Sequence, residues 1–128
     1  MKAADVLEYS KPIFVQPSMT ILEVAKLMIN MGVDSVLVRS GSRILGVVTE
    51  HDIVKALALG VSLDRQVSDV MSRNIITAKR DEPLSSIVNK MLENNIRHLP
   101  VASDDGSIVG VLNIKDVLRA FAAFSSWP

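Results

Sequence analysis

A β-branched apolar run that passes a glycine, meets a small polar residue and opens into a helical pattern occurs twice in this chain. The first copy is Ile44-Leu45-Gly46-Val47-Val48-Thr49-Glu50-His51-Asp52-Ile53-Val54; the second, 64 positions later, is Ile108-Val109-Gly110-Val111-Leu112-Asn113-Ile114-Lys115-Asp116-Val117-Leu118. In both, an acid stands three positions after the polar residue, the spacing of a helix-capping box, so each copy reads as a strand running directly into a capped helix. Each copy is too short to cover its own apolar sheet face. In a chain of 128 residues two halves sharing a core are therefore expected, rather than two free domains.

The surrounding pattern repeats as well. Residues 21–31 are predicted to be helical, because Thr20 and Glu23 have capping-box spacing and Ile21, Val24, Ala25, Leu27 and Met28 recur on one face. The counterpart is 84–94, with Leu84, Ile87, Val88, Met91 and Leu92 as its apolar stripe. Gly32 and Asn95 stop the two helices, both residue types that accept the left-handed conformation. Two strands follow in each copy, 35–39 with 44–48 and 98–102 with 108–112, joined by Ser40-Gly41-Ser42 and Asp104-Asp105-Gly106. Closing helices are predicted over 50–59 and 114–124, with Ile53, Val54 and Leu57 matched by Val117, Leu118 and Phe121 as the apolar face. Short strands at 13–15 and 75–78 precede the long helices, and ahead of them stand helical turns at 3–9, with Ser68-Asp69-Val70-Met71 as the counterpart. Pro100, inside a strand, implies an edge or bulge position. Ser125-Ser126-Trp127-Pro128 shows no periodicity.

Composition narrows the functional classes. Lysine plus arginine equal aspartate plus glutamate, 14 against 14, so the total charge offers nothing to nucleic acid or an anionic membrane. The absence of cysteine removes disulfides, thiolate nucleophiles and sulfur-ligated zinc. No apolar run approaches the ~20 residues of a bilayer span, and Asp5 and Glu8 interrupt any signal-like N-terminus; a soluble cytoplasmic protein without membrane partners is expected. His51 and His98 are far apart in sequence and make no metal site, and Met28, Met31, Met71 and Met91 read as core filling. There is no phosphate loop, dinucleotide fingerprint or serine with a base beside it, so the chain is not expected to be an enzyme and no catalytic residue or catalytic cofactor is assigned.

The duplicated order, the segments Gly46-x-x-Thr49-x-x-Asp52 and Gly110-x-x-Asn113-x-x-Asp116, and Ile96-Arg97-His98-Leu99-Pro100-Val101 resemble a tandem pair of CBS (cystathionine β-synthase) domains. Asn74-Ile75-Ile76-Thr77 leading to Pro83-Leu84 fits the family's opening of a repeat, and the resemblance covers nearly the whole chain. It implies an α+β Bateman module: two βαββα repeats, 1–64 and 65–128, related by pseudo-twofold symmetry and packed through their sheets, often as a disc-shaped homodimer. It further implies a regulatory sensor of an adenosine-containing ligand (AMP, ADP, ATP or S-adenosylmethionine) bound in a cleft between the repeats and read out by an effector protein.

Thr49 stands at a strand-to-helix junction, where unpaired amides and the helix dipole favour an anion, and Asp52 is one turn in, where a carboxylate can accept both hydroxyls of a ribose. By resemblance, Thr49 serves phosphate and Asp52 ribose, while Ile13, Phe14 and Val15 supply backbone contacts and an apolar wall for adenine. Arg97 and His98 reach the phosphates from the other repeat. A second, weaker site comprises Ile76, Thr77, Asn113 and Asp116. There Asn113 replaces the family's Thr or Ser, and Asp34 occupies the position of Arg97, so a neutral adenosine moiety suits it better than a nucleotide. Thr49 with Asp52 and Asn113 with Asp116 are equally plain helix caps. Two alternatives follow: a ligand-free module for dimerisation or protein interaction, and nucleic-acid binding through Arg39, Arg43, Lys79 and Arg80, which would require steep salt dependence.

Overall fold

Hairpins at the centre of both copies organise the structure, a computed structural model that describes residues 1–7 and 11–124. The first copy runs β1 (Phe14–Val15), α1 (Ile21–Met31), β2 (Ser35–Ser40), β3 (Arg43–Thr49) and α2 (Glu50–Ala58); the second runs β4 (Ala78–Lys79), α3 (Leu84–Asn94), β5 (His98–Ala102), β6 (Ile108–Asn113) and α4 (Ile114–Phe124). Each makes a three-stranded sheet, β1-β2-β3 or β4-β5-β6, with the short strand parallel to the middle one and the hairpin antiparallel. The α+β class and the βαββα order follow.

Local chemistry explains the long helices. Thr20 Oγ1 accepts the Glu23 amide at 3.1 Å, closing the expected capping box. At the other end Gly32, at φ 65°, and Asn95, at φ 51°, take the left-handed conformation that ends α1 and α3.

The chain divides into two compact units, Ile13–Ile75 and Met1–Pro12 with Ile76–Pro128. The segment ahead of each sequence repeat thus packs with the other copy. In the first unit the Val67 amide donates to Met19 O at 2.8 Å and the Ile21 amide to Arg65 O at 2.9 Å. In the second, the Ala3 amide donates to Glu82 O and the Leu84 amide to Met1 O, both at 2.9 Å. Val67–Asp69 and Ala3–Asp5 form 3-10 turns, and Leu7 is again 3-10; Glu8 and Tyr9, the rest of the helical turns expected over 3–9, lie outside the described residues, as do Ser125 to Pro128.

The cores are aliphatic. Val15, Val24, Met28, Val36, Val38, Val48, Val67 and Met71 fill the first unit; Ala3, Val6, Leu84, Ile87, Met91, Leu99, Leu112 and Val117 lie in that of the second. The closing helices depart from the expected face. Their buried sides centre between Ile53 and Ala56 and between Val117 and Ala120, small alanines that let the helix approach its sheet. Val54 and Phe121 stay exposed, as do Leu57 (65%) and Leu118 (59%). Leu92 and Met31, also expected inside, are exposed on α3 and α1.

Pro100 lies neither at an edge nor at the bulge. It sits in the middle strand, paired with Val111, one residue before the register shift at Val101/Ala102. Its counterpart Leu37 donates its amide to Ile13 O at 2.9 Å; proline has no such donor. Consequently β4 starts only at Ala78, opposite Val101, whereas β1 already pairs at Phe14 opposite Leu37.

Gly46 shows how tightly the 67–72 segment is held. A Cβ there would stand 2.7 Å from Met71 Sδ and 2.7 Å from the backbone carbonyl of Ser72, which exchanges hydrogen bonds of 2.9 Å with Val47. Methionine can swing away, but the carbonyl cannot. Gly46→Ala is therefore expected to lower unfolding free energy by about 1–3 kcal/mol, measured by urea denaturation; an unchanged midpoint would mean that the segment yields.

Candidate functional site

Parallel β1 and β2 and antiparallel β3 bring the start of β1, the start of β2 and the end of β3 to one end of the first unit's sheet. Thr49 is opposite Ser35 and Phe14 opposite Leu37, so Ile13, Phe14, Thr49 and Asp52 gather at that end. Val15 is buried in the core, and its backbone N–H and C=O, on the same edge as the Ile13 carbonyl, face β2. Because Ile13 gives its carbonyl to the Leu37 amide and alternate residues of a strand face opposite edges, the N–H and C=O of Phe14 face the outer edge of β1. The half-buried Phe14 ring carries the Arg39 guanidinium 3.8 Å from its centroid, a cation–π contact.

The junction at Thr49 is closed by its own groups. The Thr49 amide and hydroxyl donate to Asp52 Oδ2 at 2.9 and 3.2 Å, and the Asp52 amide donates to Thr49 Oγ1 at 3.4 Å. The Glu50 amide donates to the Asp34 carbonyl at 3.1 Å. Two of the first three helical amides are thus committed within the unit, and the capping arrangement is present as such. All of the carboxylate's capping bonds fall on Oδ2; Asp52 is half-buried, not enclosed.

The second unit repeats the scaffold with different groups. The Asn113 amide donates to Asp116 Oδ2 at 3.2 Å, the Asp116 amide to Asn113 Oδ1 at 3.0 Å, and the Ile114 amide to the Arg97 carbonyl at 2.9 Å. Asp116 is only 8% exposed, and Arg119 Nη1 stands 3.7 Å from its Oδ1, so both carboxylate oxygens face partners. Ile76 packs against the core. The Thr77 carbonyl accepts Lys90 Nζ at 2.9 Å. Lys90 also bonds Glu82 Oε1 at 3.0 Å, while Glu82 Oε2 accepts the Ser86 hydroxyl at 2.7 Å.

Arg97 and His98 belong to this second unit, at the start of β5, not to the unit that holds Thr49 and Asp52. The Arg97 side chain is exposed, as is that of His51 on α2; His98 is half-buried opposite Asn113. Among the described residues no group of three or more histidine and acidic side chains is placed to hold a metal ion. No described helix is long and apolar enough to cross a membrane.

Lys90, Glu82 and Arg119 were not among the residues singled out from the sequence; Arg39 was, as part of a basic cluster and not for its contact with Phe14. A signal existed for the first two: 63 positions earlier stand Leu27 and Met19, an apolar pair packed against the first core, exchanged in the second copy for opposite charges.

The family model for the CBS domain matches residues 3–59 and 67–123. The chain belongs to the CBS domain family. The CBS domain pair of protein MJ0100, solved in complex with 5′-methylthioadenosine and S-adenosyl-L-methionine, is 30% identical, with a TM-score of 0.88 over 98% of both chains. A CBS domain protein from Pyrobaculum aerophilum, complexed with AMP, is 29% identical with a TM-score of 0.83, covering 96% of this chain and 99% of that one. L-aspartate semialdehyde sulfurtransferase of Methanocaldococcus jannaschii is 33% identical over 111 residues, 86% of this CBS pair but 21% of the relative. The chain thus spans about a fifth of that enzyme's length.

Glu82 yields a pH test. Burial would raise its carboxyl, but hydrogen bonds from Ser86, Lys90 and the Lys79 amide, with the Lys90 charge, outweigh this and hold it below its ordinary value of 4.5. A carboxyl lowered in the folded state contributes stability above its unfolded value and loses it as pH falls through the folded one. Wild type is expected to exceed Glu82→Gln by about 1–3 kcal/mol near neutral pH, the gap closing below pH 4.5 in urea titrations. A gap independent of pH would show that the charge of Glu82 is not what stabilises the network.

Proposed function

We propose that this CBS pair is a regulatory, non-catalytic module that binds an adenosine-containing small molecule: AMP, ADP, ATP, S-adenosylmethionine or its nucleoside relative 5′-methylthioadenosine. The observation that carries the reading is the MJ0100 pair, matched over 98% of both chains and solved with two adenosine derivatives; the AMP-bound Pyrobaculum protein supports the same class. The first unit offers groups suited to it. The outward N–H and C=O of Phe14 match the ring nitrogen and amino group of an adenine edge, Ile13 and Phe14 supply apolar surface, and Asp52 Oδ1 can accept a ribose hydroxyl. Thr49, its amide and hydroxyl engaged by Asp52, holds that carboxylate in position, and Arg97 and His98 are assigned to phosphate, where the ligand has one. The exposed apolar side chains of α2 and α4 favour a homodimer as the form that acts, and an effector protein or attached enzyme as its target.

Thermal unfolding with each of the five compounds tests the ligand. At 100 times its dissociation constant a ligand adds ~2.7 kcal/mol, a rise of roughly 3–5 °C for a chain of this size. At the same ligand concentration the rise is expected to fall by about half or more in Asp52→Asn, in which the amide retains the capping geometry. If millimolar concentrations of all five leave the midpoint unmoved, the module is an interaction scaffold and not a sensor.

The homodimer has its own test. Leu57→Glu combined with Phe121→Glu is expected to convert a dimer to a folded monomer in sedimentation velocity. A double variant sedimenting like wild type would remove these helix faces from the assembly.

A further inference from the structure

We infer that the two copies of the adenosine half-site have diverged into one that takes ligand and one that the protein answers with its own side chains, so that each chain binds a single adenosine molecule, at the copy with Phe14 and Asp52. The inference rests on the reading proposed above and assigns its stoichiometry. In the first unit Leu27 packs against the core and, being apolar, has no donor to give a backbone carbonyl. Its counterpart Lys90 places its ammonium 2.9 Å from the Thr77 carbonyl, where the amino group of an adenine would have to bind. Lys90 is held there by the Glu82 carboxylate at 2.9 Å, and Glu82 in turn by Ser86, so displacing the ammonium would strand a shielded carboxylate. At the ribose end the same contrast recurs. Asp52 uses Oδ2 alone for its cap and is half-buried, whereas Asp116 is 8% exposed with Arg119 facing its other oxygen. Base and ribose positions of this copy are each met by a group of the wrong kind for a nucleotide.

Isothermal titration of the wild-type chain with AMP, S-adenosylmethionine and 5′-methylthioadenosine, each in turn, decides the matter. One molecule per chain is expected for whichever probe binds, with affinity reduced about tenfold or more in Asp52→Asn through loss of a charge-assisted hydrogen bond. The double variant Glu82→Met with Lys90→Leu, which installs the Met19 and Leu27 pair of the first copy, is expected to admit a second molecule. Two molecules per wild-type chain, or one whose binding survives Asp52→Asn unchanged, would overturn the divergence while leaving the adenosine reading intact. A double variant that folds and still binds one would overturn the role of Lys90. Failure of every probe to bind wild type would overturn the adenosine reading and this inference together.

Discussion

One short hydrogen-bonded junction sets the geometry of each unit: strand passes into helix with no loop, and the first helical amide donates to the carbonyl just before the middle strand. Glu50 to Asp34 and Ile114 to Arg97 are the same bond in the two copies, at 3.1 and 2.9 Å. It ties the start of the middle strand to the start of the closing helix. The residue one turn in must then lie at the same sheet end as the short parallel strand. Asp52 and Asp116 arrive there because the backbone leaves them nowhere else, and their capping bonds fix the rotamer as well as the place. The helix start is thereby largely satisfied from within. What remains for a ligand is the unused oxygen of a carboxylate and the outer edge of a two-residue strand.

Much of this was legible in the sequence because it is local. The limits of α1 and α3 follow from Thr20 with Glu23 and from Gly32 and Asn95, and the hairpins from their turn residues. Features that depend on a neighbour were not. Pro100 acts across the sheet: a missing donor in the middle strand delays the parallel one, and nothing within 75–78 foretells it. Periodicity on α2 and α4 identifies apolar residues but not which of two adjacent stripes meets the sheet; alanine spacing at Ala56 and Ala120 decides that, because a helix packs closest along its smallest side chains. For the same reason the donors reserved for an anion at Thr49 proved to be engaged already. Unit membership was illegible in principle. Segments 1–12 and 62–72 look alike, and only their hydrogen bonds show that each joins the other copy's unit.

Duplication gives each copy a natural control in the other. Where both copies keep a residue type, as with Val24 and Ile87 or Val48 and Leu112, all buried, the requirement is packing. Where they differ in kind at matched positions, the requirement has changed. Met19 and Leu27 against Glu82 and Lys90 is the sharpest such difference, because a partly shielded ion pair stabilises little unless each group finds further partners. Here each does: Ser86 and the Lys79 amide for the carboxylate, the Thr77 carbonyl for the ammonium. The extra partner of Lys90 is the Thr77 carbonyl, counterpart of the outward-facing Phe14 carbonyl, whereas the carbonyl that loses its ladder donor at Pro100 is that of Ile76, counterpart of Ile13. Proline and lysine thus act on opposite edges of the stretch just ahead of β4.

Asp52 combines two duties that any functional reading has to separate. As a cap it contributes about 1 kcal/mol to α2 whether or not ligand is present, and as a ribose acceptor it contributes only when ligand is bound. Alanine removes both contributions, so a variant that neither binds nor reaches the wild-type midpoint would not distinguish a damaged helix from a lost contact. Asparagine keeps an oxygen for the Thr49 amide and gives up the charge, which leaves the helix start intact and weakens the ligand contact selectively. A ligand can shift an equilibrium only by its difference in affinity for the two states. Its regulatory effect therefore depends on groups whose availability changes between states, and the backbone edge at Phe14, held on one side only, is freer to change than a carboxylate locked into a cap.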